Sequence, residues 1–292
     1  MKNIKGEPGL LFTSLIWGTG FIACDILLEY MSPFQLLAFR FIIAAAILFV
    51  VCIKRFKLVD KSLLLWSLVF GALLYSGFTL QVVGLMYTTP SKYAFLTALS
   101  VIIVPFIAVM FFRKKIDKYS LAGALIALTG AAVLSFNLDF SVNFGDLLTI
   151  CSAFFYAMHL VLMAELSKRF DAALLTFFQT LVCAVLGSAA LIILGQFDLS
   201  VIHSASLPVL LYLSVACTCI CFFLQAYFQR FTSEVTAVIL LSTECVFAAA
   251  ISVPLALEPF TANLLIGSIL IFGAGIISQT KLSFLRLKKE KI

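Results

Sequence analysis

The chain reads as an all-α integral membrane protein, with ten transmembrane helices forming two inverted five-helix repeats and both termini in the cytoplasm. Three observations carry this. Of 292 residues, 63% are hydrophobic and 12% charged, with a mean hydropathy of +1.16. The apolar residues gather in ten runs, each close to the about 20 residues that span a hydrocarbon core. The Lys and Arg residues collect in alternate connections between those runs.

A soluble domain has about 25% charged and 45–50% apolar residues. This chain could not cover its apolar set in water, whereas lipid suits it. The net charge of +6 does not point to nucleic acid, because the basic residues lie in short clusters between apolar runs. The eight cysteines form neither a disulfide framework nor a zinc site. Three of them, Cys217, Cys219 and Cys221, make the one cluster. On a helix Cys217 and Cys221 share a face while Cys219 points away, which suits small packing residues.

The runs cover 9–28, 33–53, 63–86, 91–112, 118–137, 145–166, 172–194, 207–229, 234–256 and 261–281. Pro33, Pro90, Gly145 and Pro208 stand near their starts, where Pro and Gly cost little. With this count, Lys2 and Lys5, then Lys54, Arg55, Lys57 and Lys61, fall on one side. So do Arg113, Lys114, Lys115 and Lys118, then Lys168, Arg169 and Arg230. The tail adds Lys281, Arg286, Lys288, Lys289 and Lys291. The other side holds Lys92 with Glu29, Asp139, Asp146, Asp198 and Glu258. A wrong count would scramble this segregation, so the positive-inside rule and the count support each other. The protein is expected in a cell membrane as a multi-pass protein, in the plasma membrane or a bacterial inner membrane. Lys2 and Lys5 before an apolar run resemble a signal peptide, and Phe21-Ile22-Ala23-Cys24 loosely resembles a lipoprotein cleavage site. Phe stands where Leu is usual, so the first run is expected to remain as a span.

Residues 78–135 align with 222–279 without gaps. Gln81 falls on Gln225, Thr88 on Thr232 and Gly123 on Gly267. Upstream, Trp17 falls on Tyr156, and Phe39-Arg40 on Phe178-Gln179. The repeats are therefore expected over 1–137 and 145–281, with a basic cytoplasmic tail at 282–292. Five spans per repeat reverse the orientation of the second. Inverted repeats underlie many transporters, whose sites lie near the midplane where the repeats meet.

The chain resembles an EamA-type member of the drug/metabolite transporter superfamily. LIWGTGF in the first span, FRF in the second, and the paired runs MYTTPSKYAFLTALSVIIVPF and RFTSEVTAVILLSTECVFAAA carry the resemblance. The close of each repeat, LAGALIALTGAAVLS and LIGSILIFGAGIIS, is also similar. Two departures stand out. Pro105 lies a few residues later than usual, and RKKID stands where many relatives have a Gly-Glu pair. The resemblance implies a central cavity formed by spans one to four and six to nine. Spans five and ten are implied at the periphery, where Gly123, Gly130, Gly267, Gly273 and Gly275 would allow close helix approach.

An ionisable residue at the bilayer centre costs roughly 2.5–3.5 kcal/mol on insertion scales, so the few present are candidate site residues. Arg40 lies about 10 Å inside the second span at 1.5 Å per residue. It either attracts a substrate carboxylate or phosphate, or braces the repeats through an ion pair or carbonyl contact. Glu244 lies near the midplane of the ninth span, where it could bind a proton and couple transport, take a substrate amine, or pair with Arg40. A neutral, hydrogen-bonded acid is the structural alternative. His159 is a second proton-coupling candidate, or a hydrogen-bonded link between helices. Asp25 sits near the outer end of the first span, facing headgroups or the outer mouth. Gln81, Gln179 and Gln225 offer hydrogen bonds without charge. Trp17, Tyr93 and Tyr156 are candidate wall residues, with Tyr75 and Tyr227.

These features predict a secondary transporter that moves a small metabolite or amino acid by alternating access, in the export direction. The drive is left between protons, a counter-substrate and facilitated diffusion. No cofactor, metal or nucleic acid is expected, and the protein is expected as a monomer or homodimer in the lipid bilayer. No GxxxxGK[ST] phosphate loop is present. A lipid-modifying membrane enzyme would need polar groups clustered at one face, and the two His are far apart in sequence. A receptor or scaffold would need a specific loop or tail, and the loops are short.

Overall fold

A computed structural model describes residues 6–87, 96–134, 143–255 and 260–280, and every regular element among them is helical. Tyr93, Thr88, Lys92, Pro90, Asp139, Glu258, Lys2, Lys5 and the tail at 282–292 lie outside the described residues.

The helices are α1 (Glu7–Leu28), α2 (Pro33–Cys52), α3 (Lys61–Leu85), α4 (Ser100–Phe112) and α5 (Lys118–Leu134). They continue with α6 (Phe144–Leu166), α7 (Ala172–Ile193), α8 (Ser206–Phe231), α9 (Glu234–Ser252) and α10 (Ala262–Thr280). Seven of these are long and apolar enough to cross a membrane, namely α1–α3 and α6–α9. The shorter apolar stretches Leu96–Phe112, Lys118–Val133 and Ala262–Ser278 reach about 25 Å at 1.5 Å per residue. A hydrocarbon core is about 30 Å thick. Helices suit this solvent because each backbone group is paired within its own segment. The chain is therefore a multi-pass membrane protein.

Polar residues mark the helix starts. Ser32 and Gln35 form a reciprocal cap on α2, and Asn143 and Asp146 form one on α6. Asp60, Asp171 and Ser233 cap α3, α7 and α9. Each such cap contributes typically about 1 kcal/mol. The end of α4 is different. Arg113 takes a left-handed conformation, φ 50°, and the Lys114 N–H turns back to the Ala108 carbonyl at 3.2 Å. Glycine ordinarily fills this position, because a side chain there crowds the carbonyl. In RKKID an arginine therefore holds the left-handed turn. The turn throws Lys114 across the bundle.

Helix α2 packs along α7, and α5 along α10. Helix α3 lies on α6 and α7, while α1 lies on α8 and α9. The α5–α10 contact depends on missing side chains. A Cβ on Gly130 would fall 2.9 Å from the Gly267 carbonyl, and one on Gly123 3.0 Å from that of Ala274. Gly273 does not share this role, since its Cβ would meet nothing within 4 Å. Among the described residues, Lys and Arg gather at the end where α1 starts and α2 finishes, with Arg40 as the exception. We call this the basic end.

Replacing Gly130 by Leu is expected to separate α5 from α10 and lower stability by about 1–3 kcal/mol, the usual penalty of overpacking. Thermal unfolding in detergent measures it. An unchanged midpoint would show that the approach is not required.

Candidate functional site

The site begins in α8. Its opening α-helical segment, Ser206–Tyr212, gives way to a π-helical stretch, Leu213–Ile220, before α-helix resumes at Cys221. A π-helical turn widens the backbone and frees a carbonyl where the α register returns; such turns often mark functional places. Here Trp17 Nε1 donates to the Cys217 carbonyl at 2.8 Å. The Thr218 hydroxyl donates to the Leu213 carbonyl at 2.9 Å and accepts from Arg40 Nε at 2.6 Å. One irregular segment therefore fixes both the tryptophan of α1 and the arginine of α2.

Arg40 is 4% exposed. No carboxylate lies within ion-pair distance of it among the described residues. Its guanidinium carbon instead sits 4.8 Å from the centre of the Phe78 ring and 5.6 Å from that of Phe41. Cation–π contact of this kind is worth about 2 kcal/mol when desolvated. Phe78 is the hub. Its ring lies 5.6 Å from Tyr156 and 6.3 Å from Phe222. Phe222 in turn lies 5.4 Å from Trp17 and 6.4 Å from His159. Phe78 and Phe222 occupy aligned positions of the two halves of the sequence. Neither was singled out from the sequence, although both begin the runs that align.

The Tyr156 hydroxyl donates to Gln81 Oε1 at 2.7 Å. His159 Nε2 meets Gln179 Oε1 at 3.1 Å, with both residues buried. Gln179 Nε2 and Gln225 Oε1 are buried without a hydrogen-bond partner among the described residues. Thus Arg40, Trp17, Tyr156, Gln81, His159 and Gln179 gather around two phenylalanines. Tyr227 belongs elsewhere, stacked under Arg230 at the basic end.

Glu244 lies apart from Arg40, and no cation stands within ion-pair distance of it among the described residues. It opens the second half of α9, after an interruption at Ser242 and Thr243. There the chain makes three-residue turns, with Val246 N–H donating to the Thr243 carbonyl at 3.0 Å. Helix α1 seals the interruption. The Ser14 and Thr243 hydroxyls are 2.8 Å apart, and a Cβ on Gly18 would fall 2.8 Å from the Glu244 carbonyl.

The two ends of the bundle differ. At the basic end Lys114 bonds both Glu165, at the end of α6, and Glu234, at the start of α9. Burial alone would lower the Lys114 pKa, but its bonds to Glu165 and Glu234 hold it above the ordinary 10.5. A Cβ on Gly9 would strike the Phe228 ring at 2.1 Å, so α1 and α8 are tightly closed there. Toward the opposite end a cavity of about 370 Å³ opens between α1, α8 and α9. Thr19, Ala23, Pro208, Tyr212 and Ile251 line it. It is apolar and does not include Arg40 or Glu244.

The cysteine cluster serves packing. Cys217 Sγ and Cys221 Sγ point to the Ile16 and Thr13 carbonyls of α1, at 3.6 and 3.7 Å. Cys219 Sγ points the other way, to Ala44 of α2 at 3.5 Å. Among the described residues no group of His, Cys, Asp and Glu is arranged to hold a metal ion.

A model of the EamA-like transporter family matches residues 4–136 and again 143–278. An uncharacterized transporter of Archaeoglobus fulgidus is 30% identical over 278 residues, covering 95% of this chain and 86% of that protein. The uncharacterized transporter YetK of Bacillus subtilis is 26% identical over 297 residues, covering 96% and 88%. A crystal structure superposes with a TM-score of 0.78 at 19% identity, covering 94% of this chain and 97% of the other, which speaks for the fold alone.

The raised pKa of Lys114 has a definite pH signature. A folded value above the unfolded one gives stability that is complete below pH 10.5 and is lost as pH rises through the folded value. Lys114→Gln is therefore expected to unfold at lower temperature than wild type at pH 8, with the gap closing above pH 10.5. Melting curves across that range check it. No gap at pH 8, or one that persists at high pH, would contradict the assignment.

Proposed function

The chain belongs to the EamA-like transporter family, and on that premise we propose that it exports a small metabolite or amino acid by alternating access. The buried Arg40, facing aromatic rings and no carboxylate, is the observation that carries this reading. In this reading Arg40 takes a substrate carboxylate as a charge-assisted bond. Breaking its isolation would be favourable, because a buried charge without a counter-charge is costly. Gln179 and Gln225 each keep an unpaired polar atom for a substrate group. Tyr156, Gln81 and Trp17 shape the wall, and Tyr93 is proposed with them.

Two inverted five-helix repeats, ten spans in all, supply the motion. The two family matches, 4–136 and 143–278, support that division. So does the packing of α2 on α7 and α5 on α10, the aligned helices of each half. The basic end is assigned to the cytoplasm by the positive-inside rule. The Lys114 contacts and the Gly9–Phe228 contact then hold the cytoplasmic side shut, while the cavity between α1, α8 and α9 opens toward the outside. Rocking the repeats about Phe78 and Phe222 would exchange the two sides. Glu244, at the interruption of α9, is proposed to bind the coupling proton, with His159 as the other candidate. A receptor or enzyme reading has no comparable supporting observation.

Proteoliposome counterflow across amino acids and carboxylate metabolites tests the proposal. The active substrate is expected to carry a carboxylate, and Arg40→Gln to lower its exchange by at least about tenfold, the loss of one charge-assisted bond. Glu244→Gln is expected to abolish stimulation by a pH gradient while leaving exchange. Full activity of Arg40→Gln would remove Arg40 from the site, and a retained pH response would remove Glu244 from coupling.

A further inference from the structure

A second cavity, about 830 Å³, lies on the outer surface of the bundle between α2 and α7. It exists because the facing residues are small. Ala45, Ala46, Ala184, Ser188 and Ala189 leave the two helices with a trough between them. On α7 the lining runs from Phe177 to Ile192, a length of about 20 Å at 1.5 Å per residue. The trough is apolar throughout except for Ser188. It shares no lining residue with the Arg40 centre or the cavity of α1, α8 and α9.

The trough has an aromatic end, and the turn that contributes Phe56 to it is basic. Phe49, Phe56 and Phe177 meet there, with Phe56 5.5 Å from each of the other two rings. Phe56 belongs to the short 3-10 turn Ile53–Leu58 that follows α2. That turn also carries Lys54, Arg55 and Lys57, all exposed. The nearby acids are occupied. Asp60 accepts from the Leu63 N–H at 2.6 Å. Asp171 accepts from the Ala173 and Leu174 N–H groups and from Arg55. Lys54 and Lys57 have no acidic partner among the described residues.

We infer that the α2–α7 trough seats an acyl chain of an anionic phospholipid whose headgroup rests on Lys54 and Lys57. A trough of this length and apolarity suits a tail, and the basic turn suits a phosphate with net negative charge. A zwitterionic headgroup would leave the two ammonium charges uncompensated. A second copy of this chain would bring the same basic turn against this one or leave it bare, so a lipid fits the charge better. The site requires only a protein seated in a bilayer, so it stands or falls apart from the transport proposal.

Native mass spectrometry of the full chain released from detergent, supplied with phosphatidylglycerol or phosphatidylcholine of identical tails, tests the site. Wild type is expected to retain phosphatidylglycerol about tenfold or more over phosphatidylcholine, from two cations near an anionic surface. Lys54→Gln with Lys57→Gln is expected to abolish the preference while keeping residual retention of both lipids. Ala46→Leu with Ala189→Leu is expected to reduce retention of both, because the added side chains fill the trough. All four positions are exposed, and an unchanged melting temperature without lipid confirms that each variant folds. Equal retention of the two lipids by wild type would overturn the inference. So would unchanged retention by the trough-filling variant, or a dimer cross-linked through Ala46 and Ala189.

Discussion

The bond from Arg40 to Thr218 is the contact on which the centre of this bundle depends. A guanidinium inside a membrane helix is expensive, by roughly 2.5–3.5 kcal/mol on insertion scales. Salt bridges usually offset such a cost, and here none does among the described residues. The offset comes from one hydroxyl and two rings. Thr218 accepts from Arg40 on a lone pair and donates its own proton to the Leu213 carbonyl, five residues back. That bond belongs to the π-helical register, so the irregularity of α8 and the orientation of Arg40 are one feature. The same irregularity frees the Cys217 carbonyl for Trp17. The arrangement holds the charge in place through Nε, and among the described residues the guanidinium makes no second hydrogen bond.

The second theme is matched positions that carry unmatched chemistry. Trp17 aligns with Tyr156, Arg40 with Gln179, and Gln81 with Gln225. Tyr156 bonds Gln81, yet Trp17 bonds a backbone carbonyl and Gln225 Oε1 is left without a partner. Arg40 reaches across to α8, whereas Gln179 turns to His159 on the adjacent helix. The apolar frame keeps the likeness: Phe78 and Phe222 align and touch. In the proposed mechanism the frame supplies two conformations of similar energy, and the differing polar residues give the site its selectivity.

Much of this was legible beforehand. Hydropathy placed a run at 33–53 where α2 spans Pro33–Cys52, and one at 172–194 where α7 spans Ala172–Ile193. Lipid makes that possible, since a helix must match the core in length and polarity. The Cys217, Cys219 and Cys221 pattern also gave the correct faces. Gly18, in the run LIWGTGF, is explained only by the α9 backbone lying against it. The interruption at Ser242 and Thr243 and the π-helical stretch of α8 were not legible. Both are choices between backbone registers of similar local energy, decided by tertiary partners such as Ser14, Trp17 and Arg40. The trough between α2 and α7 escaped for a related reason: small residues on each helix gain meaning only when the two helices face each other.

In the proposed mechanism the repeats rock about Phe78 and Phe222, so that the two ends of the bundle open in alternation. Electron–electron resonance distances between spin-labelled residues test this without a known substrate. One pair, Lys115 and Lys168, would span the basic end, and another, Tyr30 and Leu255, the opposite end; all four positions are exposed. Lys114→Ala, by removing the contacts to Glu165 and Glu234, is expected to lengthen the first distance and shorten the second. Distances that shift in the same sense, or an opposite end that does not respond, would contradict it.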